Sequence, residues 1–467
     1  MDNERSRTIS LLVSLLLGFV VLIGYMSYFQ IFKSETIRYN AYNKRLWIDE
    51  ERILRGSIFD RNGELLAYSE KTDDKINRIY KYDHLYSHII GYSLRDYGKS
   101  GLEKNYNNDL INLRTNSGID EVIDIINPQK IGNNLTLTID DGLQKLSRKL
   151  LQDKKGSIIT MNPKNGEILS MVSMPDFNVN TLSEDWSFVS VDEESPLLNR
   201  ATQGLYAPGS VFKIVTSLSI LENNVEAQYN CTGSTQVDGY TIKDFNDKVH
   251  GEIGLDSAFV NSCNTYFANF ALKLGHNNLK DTAETMFFNR TIDFELDYKE
   301  SIFPKNSSGK TELAASGIGQ GRILTTPMNM LLITSSIAND GKVVGPSIIK
   351  EIKSPNNTLI YKNDHALISS LETSETDRVK TMMRAVVEKG TGTKASIKGI
   401  SVSGKTGTAQ NSKGLNDLWF VGFAPYEDPK ISVVVLIEDQ KSTGGELAAP
   451  IARELINYAL KNIDLSD

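Results

Sequence analysis

With only two cysteines in 467 residues, the chain cannot be a disulfide-dense scaffold. It has no long basic run, and its net charge of −7 makes nucleic acid a poor partner. Apolar material is not scarce: 40% of residues are hydrophobic and 23% charged, the composition of a folded protein with ample core. A chain of this length divides into two or three domains. Only one long uncharged run exists. Thr8 to Phe32 carries no Asp, Glu, Lys or Arg and is rich in Leu, Val, Ile and Phe. It is long enough to span a bilayer and longer than a secretory apolar region, and no small-residue cleavage site follows it. The reading is a retained anchor. Arg5 and Arg7 precede it, whereas Lys33, Arg38, Lys44, Arg45 and Arg52 follow it. That count alone puts the large domain in the cytoplasm, although long domains translocate regardless of such charges.

Beyond the anchor, Ile53 to Phe59 reads as a strand, Asn62-Gly63 as a tight turn and Glu64 to Tyr68 as the partner strand. Ile76 to Asn134 is polar and broken, a small loop-rich module or stalk. Leu135 to Ile139 alternates like a strand, and Leu143 to Leu151 has helical spacing. Ser157 to Met161 and Glu167 to Val172, joined by Asn165-Gly166, form a hairpin that opens the larger domain. Near the other end, Ser401 to Gln410, Leu418 to Ala424 and Ile431 to Ile437 are strand-like. Their connections are too short for anything but antiparallel pairing. A last helix over about Ala448 to Leu460 covers one face. The whole predicts an antiparallel sheet with a helical lobe inserted between its first hairpin and its last strands.

The chemistry centres on Ala207-Pro-Gly-Ser210-Val-Phe-Lys213. Pro208 and Gly209 break the preceding loop, and Val211 to Leu221 is apolar enough for a buried helix. Ser210 belongs at its N-cap or first turn, with Lys213 one turn on along the same face. A serine is a poor nucleophile until a base takes its proton. A lysine can do so when burial and the positive helix end disfavour its charged form. Ser307-Ser-Gly-Lys310 has the same spacing in a polar, glycine-containing stretch that reads as loop. Two more motifs follow, Ser262-Cys263-Asn264 and Lys405-Thr406-Gly407-Thr408. A second hydroxyl can shuttle protons and an Asn can hold a substrate amide. Gly407 would let a substrate backbone approach the strand, while Lys405 and the hydroxyls of Thr406 and Thr408 can hold a carboxylate. Gly399 to Thr406 formally matches a phosphate-binding loop, but no helix follows it. Ser316 to Gly321 lacks the full dinucleotide fingerprint and reads as close packing near the cleft.

Ser210-Val-Phe-Lys213, Ser262-Cys-Asn264 and Lys405-Thr-Gly407 together resemble the three motifs of penicillin-binding proteins and serine β-lactamases. Arg55-Gly-Ser-Ile-Phe-Asp60-Arg-Asn-Gly63 and Ser100-Gly-Leu-Glu103 are similar to the non-catalytic module of class B penicillin-binding proteins, and Asp417 to Pro425 to their transpeptidase strand. The resemblance implies an α/β (α+β) chain with an antiparallel sheet flanked by helices, preceded by a transmembrane helix and a small β-rich module. The division is 1–33 tail and anchor, 34–140 non-catalytic module, 141–467 transpeptidase domain. The anchor is then single-pass with the enzyme outside the cytoplasm, overriding the charge count.

The implied mechanism has Lys213 take the Ser210 proton, and Ser210 attack the bond between two terminal D-alanines of a stem peptide. The N–H groups of Ser210 and Thr408 stabilise the oxyanion, and Ser262 relays a proton to the leaving D-alanine. A neighbouring strand's amine then forms the cross-link, and β-lactams acylate the same serine. The alternatives are hydrolysis, by a D,D-carboxypeptidase or β-lactamase, and a non-enzymatic sensor or scaffold. The implied partners are stem peptides, β-lactams, the membrane and a polytopic glycan polymerase. No catalytic cofactor is implied. Cys231 and Cys263 bracket Asp244 and His250. Free thiols, a disulfide and zinc are the three readings; some relatives carry Cys, Cys, His, Cys here, resembling a zinc site, with Asp244 replacing the second cysteine. Asp238 and Asp247 are competing carboxylates.

Overall fold

The computed structural model describes residues 2–32, 52–72, 75–113 and 130–465. The first element, α1 (Asp2–Phe32), contains the segment Arg5–Gln30, long and apolar enough to cross a membrane. Its large side chains are exposed, Leu11 at 65% and Ile23 at 63%, as on a helix that does not pack in a protein core. Lys33, Arg38, Lys44 and Arg45 of the charge count lie outside the described residues.

The N-terminal module is built on β1 (Ile58–Phe59), β2 (Leu65–Thr72), β3 (Lys75–Tyr80) and β4 (Asn134–Leu137). Two strands from far along the chain, Ile349–Lys353 and Leu359–Lys362, complete a six-stranded sheet. The strand expected over Ile53 to Phe59 is much shorter than its apolar pattern suggests. Arg55 turns its guanidinium onto Glu103, and the Gly56 N–H leaves the ladder for the carbonyl of Leu110 at 2.9 Å. The segment after Ile76 is less open than its polarity suggests. It supplies β3 and two short helices, and it buries Tyr86, Ile89, Ile90, Leu102 and Leu110. The Asp60 carboxylate joins this module to the next. Oδ1 accepts from the N–H groups of Asn62 and Glu64 at 2.8 and 2.7 Å, and Oδ2 from that of Asp141 at 3.2 Å. Asp141 opens α2 (Asp141–Leu151), which starts two residues before its apolar pattern because Asp140 caps it through Leu143 N–H at 2.8 Å.

The larger domain is organised on β5 (Gly156–Met161) and β6 (Ile168–Met174). Then come α3 (Lys213–Glu222), α4 (Leu255–Val260), α5 (Asn264–Thr285), α6 (Thr373–Lys389), β7 (Ser403–Gln410), β8 (Asn416–Ala424), β9 (Ile431–Gln440) and α7 (Gly444–Asn462). The sheet order is β7-β8-β9-β5-β6, antiparallel throughout, as the short connections require. Both faces are covered, so alternate residues enter different cores. Ile159, Trp419, Val421 and Val434 pack with Val211, Phe212 and Ile214 on the nucleophile side. Ile158, Phe420, Val433 and Val435 pack with α7 residues such as Ala448 and Leu455 on the other. The last helix begins four residues before the position its apolar residues mark. Gly444 and Gly445 start it, and a Cβ on Gly444 would overlap the carbonyls of Gly407 and Trp419. The glycines that hid the helix start are what let it sit on β7.

Candidate active site

Gly209–Phe212 forms one turn of 3₁₀ helix that runs into α3. Of the two positions expected for Ser210, N-cap or first turn, it takes the first turn, and its side chain stays partly exposed. Fully buried Val211 and Phe212 fix the turn from below. Gly209 has φ +55°, and its N–H donates to the carbonyl of Gly319 at 2.9 Å. Gly319 has φ +70°, and a Cβ there would overlap the Gly209 oxygen. The Ser316–Gly321 stretch thus seats the nucleophile turn.

Lys213 is fully buried. Its Nζ donates to Ser262 O at 2.7 Å, Ser262 Oγ at 3.2 Å and Asn264 Oδ1 at 2.7 Å. Burial pulls its pKa down to about 7, against the upward pull of Cys263 and Asp244. Lys405, equally buried, donates to Ser262 Oγ at 3.0 Å. Burial and then the neighbouring Lys213 push its pKa well below that of a free lysine. Ser262 lies in the turn between α4 and α5 at φ +57°, a backbone region that residues with a Cβ rarely adopt. Asn264 opens α5 and donates from Nδ2 to the carbonyl of Lys243 at 2.9 Å. Lys213, Ser262, Asn264 and Lys405, spread over 193 positions of sequence, therefore form one hydrogen-bonded network, with Lys213 one turn on from Ser210.

On β7, the space a Cβ on Gly407 would need is taken. It would lie 3.0 Å from Val211 Cγ1 and Trp419 Cβ and 3.1 Å from the Pro208 carbonyl. The glycine lets the strand close on the nucleophile turn. Thr408 Oγ1 accepts from the N–H of Gly444 at 3.2 Å, and Thr406 Oγ1 meets Thr391 Oγ1 at 2.6 Å. Thr391 carried no motif and was missed; its flanking glycines, Gly390 and Gly392, were the available signal. Neither decoy motif has the structure its pattern would need. Ser307 and Lys310 are exposed, and the segment Gly399 to Thr406 runs into β7 with no helix.

The cysteine group assembles around the second motif. Cys231 ends the strand Tyr229–Cys231, which pairs with Gly251–Ile253 next to His250, and Asp244 follows the strand Tyr240–Lys243. One donor atom from each of Cys231, Asp244, His250 and Cys263 lies within 4.8 Å of the others. Cys231 Sγ is 3.1 Å from Asp244 Oδ2 and 3.3 Å from His250 Nδ1, and Cys263 Sγ is 3.6 Å from Asp244 Oδ2. Both cysteines are free, so the disulfide reading is not what the structure has. Of the competing carboxylates, Asp247 pairs with Lys243 at 3.0 Å on the surface and Asp238 is exposed. Burial pushes the Cys263 thiol up to about 12 and lowers His250. Two sulfurs, an imidazole nitrogen and a carboxylate oxygen, enclosed at this spacing, fit a closed tetrahedral metal site.

Fold and site together are those of a serine acyl-transfer enzyme. Residues 156–457 match the family described as penicillin binding protein transpeptidase domain, and residues 55–135 the penicillin binding protein A dimerisation domain. The peptidoglycan D,D-transpeptidase PbpA of Mycolicibacterium smegmatis is 29% identical over 504 residues, covering 98% of this chain and 99% of its own. Stage V sporulation protein D of Bacillus subtilis is 30% identical over 452 residues, covering 89% of this chain and 68% of its own. The penicillin G acyl-enzyme of penicillin-binding protein A from M. tuberculosis superposes with a TM-score of 0.81 at 27% identity, over 87% of this chain and 100% of that one. A D,D-transpeptidase domain from Eggerthella lenta gives 0.81 at 32% identity, over 89% and 100%. The chain belongs to the class B penicillin-binding proteins, serine-type D,D-transpeptidases.

Proposed function

We propose that this chain cross-links peptidoglycan stem peptides through an acyl-enzyme on Ser210. Lys213 takes the hydroxyl proton as Oγ attacks the carbonyl between the terminal D-alanines. The C–N bond breaks, and the departing D-alanine amine receives a proton through Ser262. The amine of a second strand then attacks the ester, restoring Ser210. Backbone N–H groups of Ser210 and Thr408 receive the oxyanion, each donor contributing about 3 kcal/mol. Asn264 holds the substrate amide, while Lys405, Thr406 and Thr408 hold its carboxylate. The observation that carries this reading is the neutral-leaning Lys213, one turn from Ser210 and bonded to Ser262 and Asn264. A fluorescent penicillin should label Ser210, and Ser210→Ala should abolish labelling. Labelling that persists, or moves to Ser307, overturns the assignment. The motifs nominate no second, dedicated base for water beyond Lys213, so the β-lactam adduct should be long-lived; rapid turnover would favour the hydrolytic alternative.

The division into anchor (1–33), module (34–140) and transpeptidase domain (141–467) belongs to this reading. In it α1 crosses the membrane once and leaves the enzyme outside, beside a polytopic glycan polymerase that supplies nascent strands. Exchanging α1 for an unrelated span and deleting the module should abolish cross-linking in cells. Acyl transfer by this residue set needs no cofactor. Cys231, Asp244, His250 and Cys263 would hold a structural zinc, tying the chain after α3 to the turn that carries Ser262.

A further inference from the structure

A hydroxyl group has one proton to give, whereas a carboxylate only accepts. Thr406 and Thr408 can therefore grip a substrate carboxylate only if each keeps its proton for it. Thr408 is arranged that way. Its Oγ1 accepts the N–H of Gly444 at 3.2 Å, and an amide N–H can only donate, so the Thr408 proton is left over. Among the described residues, Thr406 has no amide behind it. Its side-chain partner is the hydroxyl of Thr391, 2.6 Å away.

We propose that Thr391 is a positioning residue that does for Thr406 what the Gly444 amide does for Thr408. It donates to Thr406 Oγ1 and so turns the Thr406 proton toward the substrate carboxylate. The backbone around Thr391 is shaped to hold it there. The N–H groups of Gly390 and Gly392 both donate to the carbonyl of Val386, at 3.0 and 3.1 Å, folding the chain tightly after α6. A Cβ on Gly390 would come within 2.6 Å of the Val260 carbonyl at the end of α4, and one on Gly445 within 2.5 Å of the Thr391 carbonyl. The loop is thus wedged between the helix that leads to Ser262 and the start of α7, with β7 beside it. A hydroxyl that donates while accepting is polarised, and the chain from Thr391 to Thr406 to an anion strengthens along its length.

This inference rests on the assignment of Thr406 and Thr408 to the substrate carboxylate, and the test separates the two. Acylation rate constants are measured for a penicillin and for its methyl ester, which lacks the charge, with wild type, Thr391→Val, Thr391→Ser and Thr406→Val. Wild type should prefer the free acid, and Thr406→Val should lose that preference. Thr391→Val should lower the acid rate about tenfold, the cost of one hydrogen bond, and leave the ester rate unchanged. Thr391→Ser should restore it. Equal acid and ester rates in wild type overturn the carboxylate assignment and this inference with it. A preference that is lost in Thr406→Val but kept in Thr391→Val overturns the role of Thr391 alone. So does a Thr391→Val variant whose acid and ester rates fall together, since that marks a purely structural effect.

Discussion

Lys213 and Lys405 donate to the same oxygen: their Nζ atoms lie 3.2 and 3.0 Å from Ser262 Oγ. Burial lowers the pKa of both lysines, and the neighbouring Lys213 lowers that of Lys405 further. Accepting from two donors also leaves the Ser262 proton unengaged and available to a departing amine.

The first prediction is a pH profile. A lysine with its pKa near 7 is a base only above that value, so acylation by a penicillin should rise through pH 7 and level off. At pH 6 the rate should be about tenfold below the plateau, the neutral fraction of a group with that pKa. Stopped-flow acylation across this range, with Ser262→Ala in parallel, checks it. A flat wild-type profile would remove Lys213 as the base.

The second concerns the seat of the nucleophile. Gly319 lies at φ +70° with no room for a Cβ against the Gly209 carbonyl. Gly319→Ala must therefore move the turn that presents Ser210. Backbone strain of this kind costs about 1–3 kcal/mol. The expected outcome is a lowered melting temperature together with a much slower acylation, measured on the same preparation. Wild-type acylation in this variant would mean the turn is placed by other contacts.

The three motifs and the antiparallel sheet were legible because each is local: Ser210 and Lys213 share one turn, and β7, β8 and β9 alternate over short connections. What could not be read was set by contacts distant in sequence. The strand at Arg55 breaks because Glu103 lies 48 positions on. Helix α7 starts at two glycines, which propensity disfavours, because β7 needs them there. Resemblance alone sets Asp244 ahead of Asp238 and Asp247; the physical reason, that the fold buries it and exposes the other two, lies in tertiary structure.

The third prediction uses the Arg55–Glu103–Arg78 cluster. Glu103 is fully buried, with Arg55 Nε at 2.9 Å and Arg78 Nε at 2.6 Å from its two oxygens. Burial would raise its pKa, but the two guanidiniums overcome this and hold it below the ordinary value. A depressed carboxylate stabilises the fold above its unfolded pKa, and that contribution disappears as pH falls through the folded value. Glu103→Gln leaves two buried guanidiniums without their anion and should cost about 3 kcal/mol. Urea denaturation at neutral pH should show the loss, and the gap to wild type should narrow on acidification. Equal midpoints at neutral pH would show that the arginines find other partners.

The last prediction is the metal. Asp244 is the hinge between the cysteine group and the catalytic network. Its Oδ1 accepts the backbone N–H groups of Asn264 and Thr265, and its Oδ2 lies against Cys231 Sγ. A carboxylate at the N-terminus of α5 is favourable in itself. Zinc on the same carboxylate would fix the start of that helix and, through it, Ser262 and Asn264 on either side of Cys263. Protein purified without added metal should carry about one zinc per chain, lost in Cys231→Ser. Stripping it with a chelator should lower the melting temperature and slow acylation by penicillin about tenfold, as perturbing groups around a metal ligand does, and added zinc should restore both. Cys263 would then titrate as a metal-bound thiolate, far below the value near 12 that burial imposes on the free thiol. Full zinc content in Cys231→Ser, or a Cys231–Cys263 disulfide in metal-free active protein by mass spectrometry, would dispose of the site.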